Sequence, residues 1–428
     1  MHDLKDLRSK PDFYKDKFFK RDKDLIPLVD EILALDQKKR EIQTKADELR
    51  KRKNEIADEI GRSKDNPDKI EVLKKEGTNI GFTLASVEKE EIDLNFKLHE
   101  KAMHLPNIVT EEIPEGYDET HNKEISRWGN PKHESWIKSH WEIGTKLKML
   151  DFERGVKIAQ SRFTVVTEMG AKLERALMNF MLDHAAEKGY KEMLPPILVN
   201  KEAMIGTGQL PKFEGDFYKC ENEFLYLIPT AEVPLTNLHK DEIIPNEQLP
   251  LKYCAYTPCF RREAGAASKD TRGIIRQHQF NKVELVKITS SETSPKEHEE
   301  LTKDAEEILQ KLELPYRKIL LCTGDLGFSA MDGYDLEVWF PAQNAYREIS
   351  SCSNFGSFQA RRINIKYKPN LKDKPQFVHT INGSGLAIGR TLASILENYQ
   401  TEKGTVLVPQ VLQKYLNGID EIKEKNNV

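Results

Sequence analysis

An apolar run ends in Phe260-Arg261-Arg262-Glu263. After the turn-prone stretch AGAASKDTRG the chain returns as Ile274-Ile275-Arg276-Gln277-His278-Gln279-Phe280-Asn281-Lys282-Val283-Glu284. If both segments are strands, a side-chain period of two puts Arg261 with Glu263 on one face, and Arg276, His278, Phe280 and Glu284 on one face of the partner. A face turned to a core would be apolar, so these residue types indicate a solvent-filled pocket. A guanidinium can hold a phosphate in a two-pronged contact, an aromatic ring can stack a base, and a carboxylate can take an ammonium or a ribose hydroxyl. Phe280 and Glu284 lie about 13 Å apart at 3.3 Å per residue, the span needed to grip opposite ends of an adenylate. A salt-bridged surface hairpin fits the same spacing, so spacing alone leaves both open.

The elements that must position this pair are a mixture of strands and widely separated helices. Strands are expected over 224–228, 251–260, 273–288 and 335–340. Leu173, Ala176, Leu177, Phe180, Met181 and Ala185 share one helical face, and Leu194-Pro195-Pro196 then forces an extended exit. Ser294-Pro295-Lys296-Glu297 reads as a capping box with proline at the first helical position. Another amphipathic helix is expected from near Gly385 through Leu392, Ile395 and Leu396. A long antiparallel pair with separated helices argues for an α+β fold and against alternating βαβ units. Neither GxxxxGK[ST] nor GxGxxG occurs, so the two familiar glycine-loop nucleotide folds lack their signatures.

The first hundred residues differ in kind. Positions 32, 35, 39, 42, 46, 49, 53, 56 and 60 read Ile, Leu, Lys, Ile, Ala, Leu, Lys, Ile and Ile, the narrow stripe of a coiled-coil seam. A second stripe at 70, 73, 77, 80, 84, 87, 91, 94 and 98 repeats the period, with Gly61 and Pro67 as stop signals in the intervening segment 61–69. Two helices so joined run antiparallel, as a rod about 45 Å long at 1.5 Å per residue. Gly77 and Gly81 weaken the return helix. Basic residues on the rod's outer surface, including Lys38, Arg40, Arg50 and Arg52, suit a polyanion by local strips; a protein partner fits the same spacing. Residues 104–133 show no sustained period and read as a connector.

The 428 residues fit two or three domains, and 66 basic against 70 acidic residues give a net charge of -4. That balance rules out binding to nucleic acid by bulk positive charge. Five cysteines without a CxxC pair point to a reducing compartment. Cys254 and Cys259, at opposite strand parity, cannot share a metal from a regular strand, and Cys352 has no identified base. No stretch of 18 apolar residues occurs, so a membrane span is not expected.

Over nearly its full length, from the hairpin through Gln400, the sequence resembles the bacterial-type seryl-tRNA synthetases, a family of class II aminoacyl-tRNA synthetases. Gly170 to Pro196 is similar to the family's first motif, with Pro196 at its proline. Phe260-Arg261-Arg262-Glu263 and Arg276-Gln277-His278-Gln279-Phe280 match the second, FRxE followed by RxHQF. Thr230-Ala231-Glu232 is similar to the TxE loop, and Gly383-Ser384-Gly385-Leu386-Ala387-Ile388-Gly389-Arg390, preceded by Asn382, to the third motif. The implied fold is an antiparallel-sheet class II core with an N-terminal helical coiled-coil arm. Its implied division is a tRNA-binding domain at 1–103 with the hairpin at about 28–100, a connector at 104–133 and a catalytic domain at 134–428.

The resemblance also implies roles. Arg261 would meet the ATP α-phosphate and the serine carboxylate, Glu263 the adenine amino group, and Arg276 the triphosphate tail. Phe280 would stack adenine against Arg390, whose guanidinium reaches the γ-phosphate; Arg261, Glu263 and Arg390 would thus carry catalysis. Glu348 and Ser351 match ligands of phosphate and of the magnesium that accompanies ATP, with no zinc expected. Serine selection falls to Thr230, Glu232, Arg261, Glu284, Asn382 and Ser384, with Glu284 on the ammonium. The implied reaction is ATP-dependent formation of seryl-adenylate, then transfer to the 3′ terminal adenosine of tRNA(Ser), with tRNA(Sec) a second candidate, by a cytoplasmic homodimer. The serine carboxylate is already ionised near neutral pH, so His278 is expected to be structural. Gln160, Arg262 and Ser268 depart from the family pattern without removing a proposed ligand. A carrier-protein ligase with a changed acceptor and a non-enzymatic RNA-binding relative are the alternatives.

Overall fold

The computed structural model describes residues 1–264, 272–370 and 372–424, and these form two compact units, Met1–Pro106 and Asn107–Val428. In the first unit the stripes are the inner line of a two-helix hairpin, α1 (Ile26–Arg62) and α2 (Pro67–Met103). Ile32, Ala46, Ile56, Leu73, Leu84, Val87, Leu94 and Leu98 are buried, while Lys53 of the stripe is exposed. Each helix has 37 residues, about 55 Å at 1.5 Å per residue, longer than the stripe alone suggested. The connection is correspondingly shorter, because Gly61 stays inside α1 and Pro67 opens α2 rather than stopping a helix. Proline lacks only an N–H that the first turn does not use, and Asn66 caps that turn by accepting from the Lys69 amide at 3.1 Å.

The second unit is built on an eight-stranded sheet among the described residues. Its strands are β1 (Lys123–Trp128), β2 (Lys191–Glu192), β3 (Leu251–Phe260), β4 (Gln279–Thr289), β5 (Tyr316–Leu320), β6 (Asp332–Phe340), β7 (Ala345–Gly356) and β8 (His379–Ala387). The spatial order is β1-β5-β6-β7-β8-β4-β3-β2, antiparallel throughout except where β2 joins β3. The strand β1 arises inside the segment 104–133 that shows no sequence period.

Alternation along β4 divides the protein into layers. Val283 and Leu285 join a core with Leu173, Leu177 and Met181 of α3 (Glu168–Glu187), Leu301 and Ile308 of α5 (Ser294–Lys311), and Leu392 and Ile395 of α7 (Ile388–Asn398). Val286 and Ile288, at the other parity, pack with Leu235 of α4 (Glu232–Asn237) and Ala360 and Ile363 of α6 (Phe358–Ile363). Further toward the start of β4, that second face carries Phe280, Lys282 and Glu284.

Three local expectations need correction. The strand expected from Gly273 begins only at Gln279, because the preceding backbone is held by side chains. The Ile274 amide donates to His140 Nε2 at 3.1 Å, Arg390 Nε donates to the Ile275 carbonyl at 3.1 Å, and Gln277 Nε2 donates to the Gly273 carbonyl at 3.0 Å. Ser294 is no capping residue: Thr293 occupies that position without a side-chain cap, and Ser294 Oγ donates to Asn354 Oδ1 at 3.1 Å while Glu297 pairs with Lys287 at 2.8 Å. The helix expected from Gly385 starts at Ile388, since Gly383 to Ala387 extend β8.

Candidate active site

Register brings the site residues to one face. Glu284 pairs with Ala255 of β3 and Ser384 of β8, and Asn382 pairs with Ser353 of β7. Asp335 of β6 pairs with Ser351 and Glu337 with Glu348, so one extra residue in β7 between these pairs turns Glu348 onto the face of Ser351. Without that bulge, Glu348 would point to the helix layer.

The result is a cleft of about 340 Å³ lined by Thr230, Glu232, Arg261, Glu263, Arg276, Phe280, Glu284, Glu348, Ser351, Asn382, Ser384 and Arg390. All twelve residues singled out in the sequence therefore meet in one place. Arg276 reaches the cleft from the loop before β4 and not by strand alternation, its Nη1 donating to Glu263 Oε2 at 2.7 Å. Glu263 itself adopts the left-handed region (φ 53°), a conformation that costs a non-glycine residue energy and recurs at functional sites. His278 does not share the face of Phe280. Its ring stacks on Phe163 at 5.3 Å, and with Nδ1 protonated it donates to the Arg261 carbonyl at 3.0 Å.

The cleft has two electrostatic ends. At one, the Arg261 guanidinium lies 5.3 Å from the Phe280 ring centre, and Arg390 donates to the Glu348 carbonyl at 2.8 Å and pairs with its carboxylate at 3.3 Å. Arg390 holds the Glu348 carboxyl below its ordinary value. At the other, Lys282 Nζ stands 2.5 Å from Glu284 Oε2, and buried Glu232 accepts from Gln359 Nε2 at 2.7 Å. Burial, then the charge of Glu284, pushes the Glu232 carboxyl up to about 7. A cationic end beside an aromatic ring suits a nucleotide phosphate and base, and an acidic end suits a small ammonium compound.

Beside the cleft, oxygen donors of the kind a hard cation takes lie on one face. Asp335 Oδ1 is buried without a hydrogen-bond partner on the face shared by Ser351 and Glu348, and burial, then the Glu348 charge, raises the Asp335 carboxyl well above its ordinary value. Such a set, short of a complete protein cage, fits a hard cation that keeps phosphate oxygens among its ligands. No grouping of three or more His, Cys, Asp and Glu residues that could hold a metal occurs among the described residues.

Sequence reasoning missed Lys282, Asp335 and Gln359. Lys282 had a signal, since it lies at the same parity as Phe280 and Glu284. Gln359, on the six-residue helix α6, had none. The departure at Ser268 lies outside the described residues. Arg262 is exposed, and its amide donates to the Asp216 carbonyl at 2.9 Å.

The antiparallel sheet and its flanking helices are the core of a class II tRNA synthetase. Residues 217–399 match the tRNA synthetase class II core domain (G, H, P, S and T), and residues 1–109 match the seryl-tRNA synthetase N-terminal domain. The serine–tRNA ligase of Gloeothece citriformis is 54% identical, covering 97% of this chain and 98% of its own. That of Carboxydothermus hydrogenoformans is 51% identical over 99% and 100%. Among solved structures, the seryl-tRNA synthetase of Pyrococcus horikoshii complexed with ATP superposes with a TM-score of 0.95 at 38% identity, covering 100% of both chains. The Naegleria fowleri cytoplasmic enzyme in complex with AMP gives 0.85 at 32%, covering 97% of this chain and 96% of that one. The chain belongs to the seryl-tRNA synthetase family. These relatives span the hairpin as well as the core, which leaves a carrier-protein ligase or a non-enzymatic RNA binder unsupported.

Proposed function

We propose that this chain is a serine–tRNA ligase that joins L-serine to ATP as seryl-adenylate, releasing pyrophosphate, and then passes the seryl group to the 3′ terminal adenosine of tRNA(Ser). The observation that carries this reading is the two-ended cleft, with arginines and Phe280 at one end and Glu232 and Glu284 at the other.

In the first step an oxygen of the serine carboxylate attacks the α-phosphorus and the bond to the bridging oxygen of pyrophosphate breaks. No protein nucleophile and no proton transfer are needed, so alignment and charge stabilisation do the catalysis. Arg261 spans the serine carboxylate and the α-phosphate, Phe280 and Arg390 sandwich adenine, Glu263 takes its amino group, and Arg276 and Arg390 meet the outer phosphates. Glu348 and Ser351 would hold magnesium, which when bound supplies positive charge to phosphoryl oxygens. Glu284 takes the serine ammonium, while Thr230, Glu232, Asn382 and Ser384 surround the substrate's polar groups. A site built to hydrogen-bond a hydroxyl rejects alanine because those groups would be left unpaired.

The hairpin of residues 28–100, within the domain 1–103, is read as the arm that recognises the long variable region of tRNA(Ser) by shape. The same arm would accept tRNA(Sec). The reading includes a connector at 104–133, a catalytic domain at 134–428, a homodimer formed through 170–196 and a cytoplasmic location, to which five free thiols are suited. ATP–pyrophosphate exchange with each of the twenty amino acids tests the chemistry. Exchange driven by serine far above the rest is expected, and folded protein without serine-dependent exchange would overturn the proposal.

A further inference from the structure

Behind the acidic end of the cleft, Gln359 ties three segments together. It is fully buried on α6; its Nε2 donates to Glu232 Oε1 at 2.7 Å and to the Thr207 carbonyl at 3.2 Å, while its Oε1 accepts from Thr380 Oγ1 at 2.7 Å. These neighbours decide which way the amide faces. A backbone carbonyl can only accept, so the NH2 end belongs at Thr207, and the hydroxyl of Thr380 then donates to the oxygen. Both N–H groups are thereby committed, one of them to Glu232.

A hydrogen bond donated to a carboxylate favours its ionised form. Glu232 needs that support: it is buried, and the charged groups facing it are Glu284, which opposes ionisation, and Lys282, which favours it. The hydrogen bond from Gln359 at 2.7 Å and the charge of Lys282 work against protonation.

We propose that Gln359 is a positioning residue for amino-acid recognition, supplying the hydrogen bond that the ionised Glu232 requires and fixing which carboxylate oxygen faces the cleft, with Thr380 setting the amide's orientation. The inference rests on the reading of Glu232 as part of the serine site. It assigns Gln359 no contact with ATP, whose end of the cleft is formed by Arg261, Phe280 and Arg390.

Serine-dependent ATP–pyrophosphate exchange of the full chain, followed for wild type, Gln359→Met and Thr380→Val from about pH 6 to about pH 9, tests it. Gln359→Met keeps the volume and removes the donor. It should raise the serine KM by about tenfold or more near neutral pH and leave the ATP KM within about twofold. The pH at which kcat/KM for serine rises should move up by about one unit, so the deficit shrinks toward the alkaline end. Thr380→Val leaves the amide in place without its orienting donor, and a smaller change in the same sense is expected. It also carries the test by itself if melting curves show that the methionine variant does not fold. Serine and ATP KM rising together with no displacement of the pH profile, or no change in either, would overturn the inference. Wild-type protein inactive with serine would overturn the underlying reading instead.

Discussion

The Arg261 guanidinium lies over the Phe280 ring, 5.3 Å from its centre, across the β3–β4 ladder in which Cys259 pairs with Phe280. On the proposed reading, the contact places the cation beside the phosphate of a nucleotide stacked on Phe280. Its Nε also makes a long contact, 3.4 Å, to the Pro229 carbonyl, one residue before Thr230, which is proposed above to meet serine. On that reading, one side chain thus stands between both substrates.

Arg261→Lys should therefore damage catalysis more than binding. Lysine keeps the charge but loses the planar fork that can serve carboxylate and phosphate together. A fall in kcat/KM for serine-dependent exchange on the order of a hundredfold is expected, about 2.7 kcal/mol of transition-state stabilisation. Steady-state exchange kinetics check it, and a variant within about twofold of wild type would remove Arg261 from the mechanism.

The raised carboxyl of Glu232 makes a prediction about stability. Its folded value of about 7 lies above the value near 4.3 expected in the unfolded chain, so between the two the folded state binds the extra proton. The group's contribution to stability therefore falls as pH rises across that window and stays unfavourable above it. Glu232→Gln should gain stability relative to wild type as pH passes from about 4 to above 7, while losing serine activation. Urea unfolding midpoints of both proteins at several pH values give the difference; a constant offset would show that Glu232 does not titrate in this window.

His278 tests the distinction between a supporting and a reacting group. It stacks on Phe163 and donates to the Arg261 carbonyl, and glutamine can replace that donation. His278→Gln should keep serine-dependent exchange within about tenfold of wild type. A loss beyond about a thousandfold in folded protein would restore a chemical role.

How far the sequence discloses the site depends on periodicity. The seam of α1 and α2 repeats regularly and is legible, and 251–260 is legible as an apolar run although Tyr253, Cys254 and Ala255 are buried in succession. β7 and β8 carry Glu348, Ser351, Asn382 and Ser384, yet neither is among the expected strands, because small polar residues line a cleft where β-branched ones would fill a core. Glu348 faces the cleft through a bulge that shifts parity, and Arg276 through a loop tied down by His140, Arg390 and Gln277. Neither device has a period to read. The resemblance to a family located these residues where pattern could not.

Gly81 leaves α2 weaker than its seam requires. A Cβ at that position meets no atom within 4 Å, and the residue sits in the middle of the helix. Gly81→Ala should stabilise the hairpin by about 0.5–1 kcal/mol, seen as slower hydrogen exchange of amides in α1 and α2 with exchange in the sheet unchanged. Slower exchange in neither helix would mean that the glycine has another function in the arm.

Removing the arm separates activation from transfer. All twelve cleft residues belong to the unit Asn107–Val428, and none to Met1–Pro106. The deletion 28–100 can be bridged by a short linker, because the two helices of the hairpin are close at its base, where Lys101 pairs with Glu31 at 3.1 Å. Many of the arm's cations are already partnered, Arg50 with Glu88 at 2.9 Å, Arg52 with Glu76 at 2.9 Å and Lys38 with Glu90 at 3.4 Å, so the rod presents mixed charge and a fixed shape. Serine-dependent exchange by the deleted protein should stay within about threefold of wild type, while aminoacylation of tRNA(Ser) falls by about a hundredfold or more. If both activities fall equally in protein that still folds, the arm is required for the chemistry itself and does not merely deliver the RNA.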